Sequence, residues 1–271
     1  MQQQPVVLIT GASSGLGKST AELLSAKGMM VFGTSRKTNG ERVDGYDLLP
    51  LDVDSDSSVD GCVKSVMEKT DRLDVLVNNA GQIQVGAVEE TTMAEAKSVF
   101  ETNFFGAVRM VNAVLPTMKK QKEGLIINVA SLAAIIATPT RAFYSASKAA
   151  LGSYSDVLRY EVRRFGIHVC AVYPGFFNTG AENRTLLPSI PLDEYRQMRS
   201  NVMAVRANDL RNGDDPKLLA ETILRIIRTK SPKASYVVGK GTMNRVLKNI
   251  LPHSAFESVV ERHFKLKGTT S

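Results

Sequence analysis

Tyr144 and Lys148 are the two residues whose types and spacing most directly suggest chemistry. They stand four residues apart, and residues four apart on a helix share one face. A tyrosine hydroxyl ordinarily titrates near pH ~10, so it exchanges a proton near neutrality only if its anion is stabilised. A lysine ammonium one turn away would supply that stabilisation. Taken alone, the spacing equally describes a half-buried tyrosine beside a surface lysine.

A second candidate is the glycine-rich segment TGASSGLG, which runs from residue 10 to residue 17. Gly11, Gly15 and Gly17 would let the backbone turn tightly and approach a pyrophosphate. The helix that follows would offer unpaired N–H groups to the anion. A triphosphate-binding loop is excluded because it needs a glycine where Ala12 stands. A plain glycine-rich turn between a strand and a helix is the remaining alternative.

The elements that would position these residues alternate along the chain. Continuous apolar runs typical of buried parallel strands occur at Val6–Thr10, Met30–Thr34, Leu48–Leu51, Val75–Asn78, Leu125–Ala130, Val169–Tyr173 and Ser235–Val238. Helical spacing of apolar residues occurs at Gly17–Lys27, Ser57–Thr70, Thr92–Met118, Tyr144–Phe165 and Pro216–Thr229. This alternation predicts an α/β fold, a single Rossmann-type, doubly wound parallel sheet flanked by helices.

The whole length, 1–271, is expected to form one domain with an elaborated C-terminal part. Residues 176–213 show no clear period and contain Pro188 and Pro191. An irregular stretch of that length is usually a lid or a substrate loop. Residues 240–271 are predicted to form a basic helical tail.

Further polar residues stand at the ends of the predicted strands. The motif NNAG covers residues 78–81, Ser131 follows the fifth strand, and Pro174-Gly175 follows the sixth. Together with the glycine segment, Asn103, Thr179 and the Tyr144–Lys148 pair, these motifs resemble the classical short-chain dehydrogenase/reductase family in order and spacing. Within that family the chain is most similar to the branch of 17β-hydroxysteroid and retinol dehydrogenases, on the evidence of Ser35-Arg36 and the basic tail.

The resemblance implies roles for individual residues. Tyr144 would exchange the proton with a substrate oxygen, Ser131 would hold that oxygen, Lys148 would stabilise the tyrosine anion, and Asn103 would order a water chain. The residues expected to bind the cofactor are Gly11, Ser13, Ser14, Gly15, Leu16, Gly17, Ser35, Arg36, Asp52, Val53, Asn79, Ala80, Gly81, Tyr144, Lys148, Pro174, Gly175 and Thr179.

The end of the second strand indicates which nicotinamide cofactor to expect. An NAD site usually carries an acidic residue there, whereas a ribose phosphate requires positive charge. Ser35 occupies the acidic position and Arg36 follows it. A guanidinium can pair with a phosphate through two hydrogen bonds, which favours NADP(H). The alternative is a surface arginine in a polar turn.

The expected function is therefore an NADP(H)-dependent oxidoreductase acting on a carbonyl or secondary alcohol. Apolar residues around the motifs favour a lipophilic ketone or aldehyde. Arg141 could hold an anionic substrate group, although a surface role fits it equally well. A second hypothesis is a non-catalytic NADP(H)-binding sensor or scaffold. The family suggests a homodimer or homotetramer.

Composition limits the classes of protein to which this chain can belong. The 271 residues are 43% hydrophobic and 23% charged, as in ordinary globular proteins. With no secretory or membrane-spanning segment visible, a cytoplasmic location is expected. Cys62 and Cys170 match no metal motif, and the three histidines lack ligand spacing, so no metal is expected.

The formal charge of +7 comes entirely from the residues after Val205. Two amphipathic segments occupy this end, one around Met243, Val246, Leu247, Ile250 and Leu251, the other around Phe256, Val259, Val260 and Phe264. They could cap the substrate cleft, pack on a neighbouring subunit, or make weak contact with an anionic membrane surface. Nucleic acid is not expected, since no recognition module is present.

Overall fold

The computed structural model describes residues 4–180, 185–243, 248 and 250–266. Within these residues, the strands of the central sheet are β1 (Val6–Ile9), β2 (Met30–Ser35), β3 (Glu41–Val43), β4 (Tyr46–Pro50), β5 (Val75–Asn78), β7 (Gly124–Val129), β8 (Ile167–Pro174) and β10 (Ser235–Val238). The spatial order of these eight strands is β10-β8-β7-β5-β1-β2-β4-β3. Two further short strands, β6 (Ile83–Gln84) and β9 (Thr185–Leu186), pair with each other in parallel.

Helices cover both faces of this sheet. They are α1 (Gly15–Ala26), α2 (Asp56–Thr70), α3 (Met93–Phe100), α4 (Gly106–Gln121), α5 (Ala142–Val162), α6 (Arg196–Arg211), α7 (Pro216–Ile227) and a C-terminal helix (His253–His263). Val7 and Ile9 of β1 point into a core shared with α1 and α7. Val6 and Leu8 point into the opposite core, with α2, α4 and α5. The expected doubly wound sheet is confirmed, with both faces of its strands buried.

All the sheet pairings are parallel except that of β3, which lies antiparallel at the edge beside β4. The edge strand Glu41–Val43 was not expected from the sequence. Its three residues are largely exposed and include two charged side chains, so no apolar run marks it.

Polar residues at the helix starts explain several boundaries. Ser55 caps α2 by accepting a hydrogen bond from the Ser58 N–H. Thr92 and Glu95 form a capping box at the start of α3. Asp215 caps α7, where Pro216 takes the first position and loses no helical hydrogen bond.

The prediction of one helix over Thr92–Met118 is wrong in its detail. The segment forms α3, a π-helical turn (Glu101–Phe105) and α4 in succession. The π turn inserts one extra residue into the helix and so rotates the side chains that follow it around the helix axis.

The prediction of an irregular stretch over residues 176–213 is wrong for its second half. Arg196–Arg211 form α6, whose buried positions are Val202 and Arg206. The helix is largely polar and one of its two buried side chains is an arginine, so the spacing of Met198, Val202 and Val205 gives only a weak helical signal.

The chain leaves β1 in one direction toward β2 and β4, and later continues from β5 in the other direction toward β7, β8 and β10. Ligands of doubly wound sheets bind outside the carboxyl ends of the strands at such a reversal. Among the described helices, no segment is both long and apolar enough to cross a membrane.

Candidate active site

The turn after β1 is held by residues that follow β5. The side-chain Nδ2 of Asn79 donates hydrogen bonds to the carbonyl oxygens of Thr10 and Gly11, both at 3.0 Å. Gly11 and Gly15 have positive φ angles of 66° and 56°. A Cβ on Gly17 would lie 2.3 Å from the Gly11 carbonyl oxygen. The backbone of this turn therefore favours glycine at positions 11 and 15, and the space available requires it at position 17.

A cleft of about 520 Å³ opens above this turn. The expected cofactor residues that line it are Gly11, Ser13, Ser14, Gly15, Leu16, Ser35, Arg36, Asp52, Val53, Asn79, Ala80, Gly81 and Thr179. Gly17 lies below the turn and is buried. The cleft therefore runs from the start of α1 along the ends of β2, β4 and β5.

Sequence reasoning missed some residues of this cleft. These are Thr34, Lys37, Leu51, Gln82 and Thr102. They directly neighbour motifs that were identified, so their position was an available signal. Ile83 and Leu186, which the sequence suggests as apolar neighbours of the substrate, also line the cleft.

The chemistry of the cleft fits an anionic dinucleotide. The first turn of α1 carries no acidic residue, so its N–H groups face no competing carboxylate. Arg36 and Lys37 are exposed at the β2 end. Among the described lining residues, Asp52 carries the single carboxylate. Backbone donors and two cations with one carboxylate suit phosphates and ribose hydroxyls.

Tyr144 and Lys148 lie in the first two turns of α5, and both are buried. The Lys148 Nζ donates to the carbonyl oxygen of Val129, at the end of β7, at 2.9 Å. Ser131 follows β7 and caps a short 3-10 helix, its Oγ accepting from the Ala133 N–H at 3.1 Å. The ends of β7 and α5 thus bring these three side chains together.

The pKa of the Tyr144 hydroxyl is lowered. Burial acts in the opposite direction, but the positive charges of Arg141 and Lys148, hydrogen bonding by Ser131 and the charge of Arg206 outweigh it. The Arg141 guanidinium carbon lies 4.1 Å from the centre of the Tyr144 ring. Burial lowers the pKa of Lys148, and Tyr144 opposes that shift. The tyrosine is thereby prepared to exchange a proton closer to neutrality than a free phenol.

Asn103 lies in the π-helical turn and is buried. Its Nδ2 donates to the Gln82 carbonyl oxygen at 3.0 Å and to the Ser147 Oγ at 3.1 Å, while its Oδ1 accepts from the Gln82 N–H at 2.8 Å. A Cβ on Gly81 would lie 3.0 Å from this Oδ1 and 3.4 Å from the Lys148 Nζ. Asn103 and Lys148 therefore flank the same glycine.

A second pocket, of about 180 Å³, adjoins Tyr144. Ser131 and Tyr144 line it, and so do Pro174 and Gly175, which were expected to contact the cofactor. Ile83 lines both cavities. The side chains of Ser131 and Tyr144 thus belong to a smaller space beside the long cleft.

The walls of the second pocket come from segments far apart in the sequence. Arg206 of α6 was not identified from the sequence, and Arg141 was expected at the surface or at an anionic group. The C-terminal helix supplies Phe256, Val259 and Val260. Phe256 packs against Leu132 and Ile136 in a small apolar core.

The second amphipathic segment of the tail, around Phe256 and Val260, therefore covers the small pocket. Capping the substrate cleft was one of the three alternatives for this segment. In the first segment, Arg245, Val246, Leu247 and Asn249 lie outside the described residues. Met243 and Ile250 are exposed. Across the described residues, no group of histidine, cysteine and acidic side chains could hold a metal ion.

Comparisons with known proteins agree with this arrangement. The family model described as short chain dehydrogenase matches residues 5–186. The chain is 41% identical over 239 residues to a 3-ketodihydrosphingosine reductase of Bacteroides thetaiotaomicron, covering 88% of each protein. It is 30% identical over 240 residues to dehydrogenase/reductase SDR family member 7B of Xenopus tropicalis, covering 83% of this chain and 74% of that protein. The latter accords with the expected branch.

A solved short-chain dehydrogenase from Streptomyces avermitilis superposes with a TM-score of 0.82 at 30% identity, covering 100% of both chains. The matched region contains the glycine turn, the NNAG segment, Ser131 and the Tyr144–Lys148 pair. The chain therefore belongs to the short-chain dehydrogenase family of oxidoreductases, which use a nicotinamide cofactor.

Proposed function

We propose that this protein interconverts a carbonyl compound and the corresponding alcohol with NADP(H), and that its substrate is a lipophilic ketone or aldehyde. The observation that best supports this proposal is the position of Ser131 and Tyr144 in the small pocket beside the long cleft, with Lys148 buried one helical turn from Tyr144. When bound in the long cleft, the nicotinamide supplies or accepts the hydride. The chain's own residues must then position the substrate oxygen and move one proton.

In the reducing direction, the Tyr144 hydroxyl would donate its proton to the substrate oxygen. The Ser131 hydroxyl would hydrogen-bond the same oxygen and hold it in place. Lys148, fixed at the Val129 carbonyl, and Arg141, over the tyrosine ring, would stabilise the phenolate that remains. In the oxidising direction, the same phenolate would accept the proton.

The preference for NADP(H) rests on the end of β2. Ser35, Arg36 and Lys37 line the cleft there, and no described side chain of that strand end is acidic. Two adjacent cations would favour a ribose phosphate over a ribose hydroxyl. A lipophilic substrate is supported by the small pocket, whose walls include Leu132, Ile136 and Phe256.

We also infer that the protein forms a dimer or a tetramer through the outer faces of α4 and α5. Phe105, Val157 and Tyr160 are exposed on or beside these helices, Tyr160 to 81%. Exposed aromatic and aliphatic side chains grouped on neighbouring helices are typical of an interface.

The test combines cofactor binding with turnover. NADPH should bind at least tenfold more tightly than NADH, and Arg36→Asp should reverse that ratio. On a panel of lipophilic ketones and aldehydes, Tyr144→Phe should lower kcat by about 10²–10⁴-fold, the usual contribution of a general acid, with NADPH affinity unchanged. Full turnover by Tyr144→Phe would refute the mechanism. Tight NADPH binding without turnover of any carbonyl or alcohol would favour the sensor or scaffold alternative.

A further inference from the structure

The small pocket beside Tyr144 has an unusual balance of charge for a cavity with apolar walls. Arg141 and Arg206 both line it, and both are buried, with 8% and 6% of their surface exposed. Its described lining includes no aspartate or glutamate. His263, which also lines the pocket, is hydrogen-bonded to Asp209 at 3.0 Å. The pocket therefore presents positive charge to whatever enters it.

Arg141 is the more informative of the two arginines. Its guanidinium lies against the Tyr144 ring, and within the described part of the chain its Nε has no hydrogen-bond partner. The Oγ1 of Thr138, which also lines the pocket, lacks a partner among the described residues as well. A buried guanidinium is costly unless an anion or several acceptors compensate its charge. An unused donor beside the reacting hydroxyl thus points to an acceptor brought in by the substrate.

The same charges discriminate between classes of carbonyl compound. A substrate with an ammonium group near its carbonyl would place like charges together in a poorly hydrated space, which is unfavourable. A neutral ketone would bring no anion to the Arg141 guanidinium and would leave its Nε without a charged acceptor. A carboxylate would accept hydrogen bonds from the guanidinium and neutralise its charge.

The remaining walls suit a hydrocarbon part. Leu132, Ile136 and Phe256 form one apolar cluster, and Val260 packs against it. The cationic side, with Arg141, lies next to the reacting Tyr144, and the C-terminal helix covers the apolar side.

We infer that the substrate is an oxo-acid, in which a carboxylate near the reacting carbonyl pairs with Arg141 and a hydrocarbon chain lies under the C-terminal helix. This inference rests on the proposed function, and it names Arg141 as a residue that determines specificity. Arg206 would contribute a second positive charge to the same site.

The test uses matched substrates, namely a series of oxononanoates with the ketone at different positions, each paired with its neutral methyl ester. The wild-type protein with NADPH should prefer the best acid over its ester by at least tenfold in kcat/KM. Arg141→Met should reduce that preference by about 10- to 100-fold, the usual worth of a hydrogen-bonded charge pair. Arg228→Met is the matched control, because Arg228 is exposed at the end of α7, outside both cavities.

The ratio of acid to ester separates this role from an effect of Arg141 on Tyr144. A change in the proton affinity of Tyr144 alone would lower turnover of acid and ester together and leave their ratio unchanged. Such a result would overturn the inference, and so would a wild-type protein that prefers the esters. A melting temperature within a few degrees of wild type would show that Arg141→Met is folded.

A binding measurement decides the question without turnover. Nonanoate should bind the NADPH-loaded wild-type protein at least tenfold more tightly than nonanamide, and Arg141→Met should remove the difference. Equal binding of acid and amide would overturn the carboxylate site even if neutral ketones are reduced. Arg141-dependent nonanoate binding without reduction of any carbonyl would support the site and count against the proposed function instead.

Discussion

At the scale of single residues, Lys148 is one of the positive charges that lower the pKa of Tyr144. In the oxidising direction the tyrosine must be ionised to accept a proton, so activity rises as the pH passes through the Tyr144 pKa. Arg141 and Lys148 lower this pKa against the effect of burial. Replacing Lys148 with Met removes one of those charges and therefore raises the Tyr144 pKa. The rising limb of the pH profile for alcohol oxidation should move to higher pH, with kcat at pH 7 reduced by about tenfold or more.

The measurement is kcat/KM for alcohol oxidation across the pH range, for wild type and Lys148→Met. Lys97→Met is the control, because Lys97 is exposed on α3 and outside both cavities. A profile that keeps its shape and position in Lys148→Met, with only its height reduced, would contradict the electrostatic role. Lys148 would then act only through the contact with the cofactor that the family resemblance implies.

At the scale of elements, the turn between β1 and α1 depends on how closely it approaches the segment after β5. A Cβ on Gly17 would lie 2.3 Å from the Gly11 carbonyl oxygen and 2.4 Å from the Asn79 Nδ2. Gly17→Ala must therefore displace the turn. We expect NADPH affinity to fall at least tenfold and the free energy of unfolding to fall by about 1–3 kcal/mol.

Gly61→Ala provides the matched control within the same chain. Gly61 lies inside α2, and a Cβ there would meet no described atom within 4 Å. Alanine favours the helix over glycine, so the free energy of unfolding should rise by about 0.5–1 kcal/mol with NADPH affinity unchanged. Titration calorimetry and chemical denaturation measure both quantities. Equal affinities in the two variants would show that the turn tolerates the methyl group.

A buried carboxylate holds the predicted substrate loop, residues 176–213, in place. Glu90 is 1% exposed, pairs with Arg199 of α6, and accepts hydrogen bonds from the N–H groups of Ala87 at 2.8 Å and Leu192 at 2.9 Å. Glu90→Gln leaves the Arg199 charge uncompensated. Since Arg199 is partly exposed, we expect a local loss of about 1–2 kcal/mol. Amide exchange over residues 188–199 should accelerate by roughly 10-fold, and the substrate KM should rise.

Glu68→Gln is the control for this change, since Glu68 lies at an exposed position on α2. Hydrogen exchange followed by mass spectrometry resolves the segment directly. Exchange over residues 188–199 that equals that of wild type would mean that the hydrogen bonds of Ala87 and Leu192 survive without the negative charge.

At the scale of the whole molecule, the expected dimer or tetramer makes a distinct prediction. Val157 of α5 is 53% exposed, beside the 81% exposed Tyr160. Val157→Glu would bury a carboxylate in the interface, at a cost of several kcal/mol, and should release monomers at micromolar concentration. Val88 is similarly exposed, at 63%, and lies in the turn between β6 and α3. Val88→Glu should therefore keep the assembly seen by light scattering, and a wild-type monomer would refute the prediction.

Much of this arrangement is encoded locally and was available from the sequence. The glycine spacing from Gly11 to Gly17 requires a tight turn, and a lysine four residues after a tyrosine requires a common helix face. Continuous apolar runs require strands buried on both sides. Each of these signals depends on neighbours within one or two turns of the chain, so the doubly wound sheet and the order of its motifs could be predicted.

Only the tertiary structure shows which side chains surround the hydroxyls of Ser131 and Tyr144. Arg141, Arg206 and Phe256 line one pocket although they are far apart in the chain. Arg206 lies on a largely polar helix whose few apolar residues give a weak helical signal, and the π-helical turn at Asn103 leaves no periodic signal. Burial of a charged side chain depends on the packing of distant segments around it. No local pattern carries that information, which is why the sequence determined the catalytic motifs while the structure determined the character of the substrate pocket.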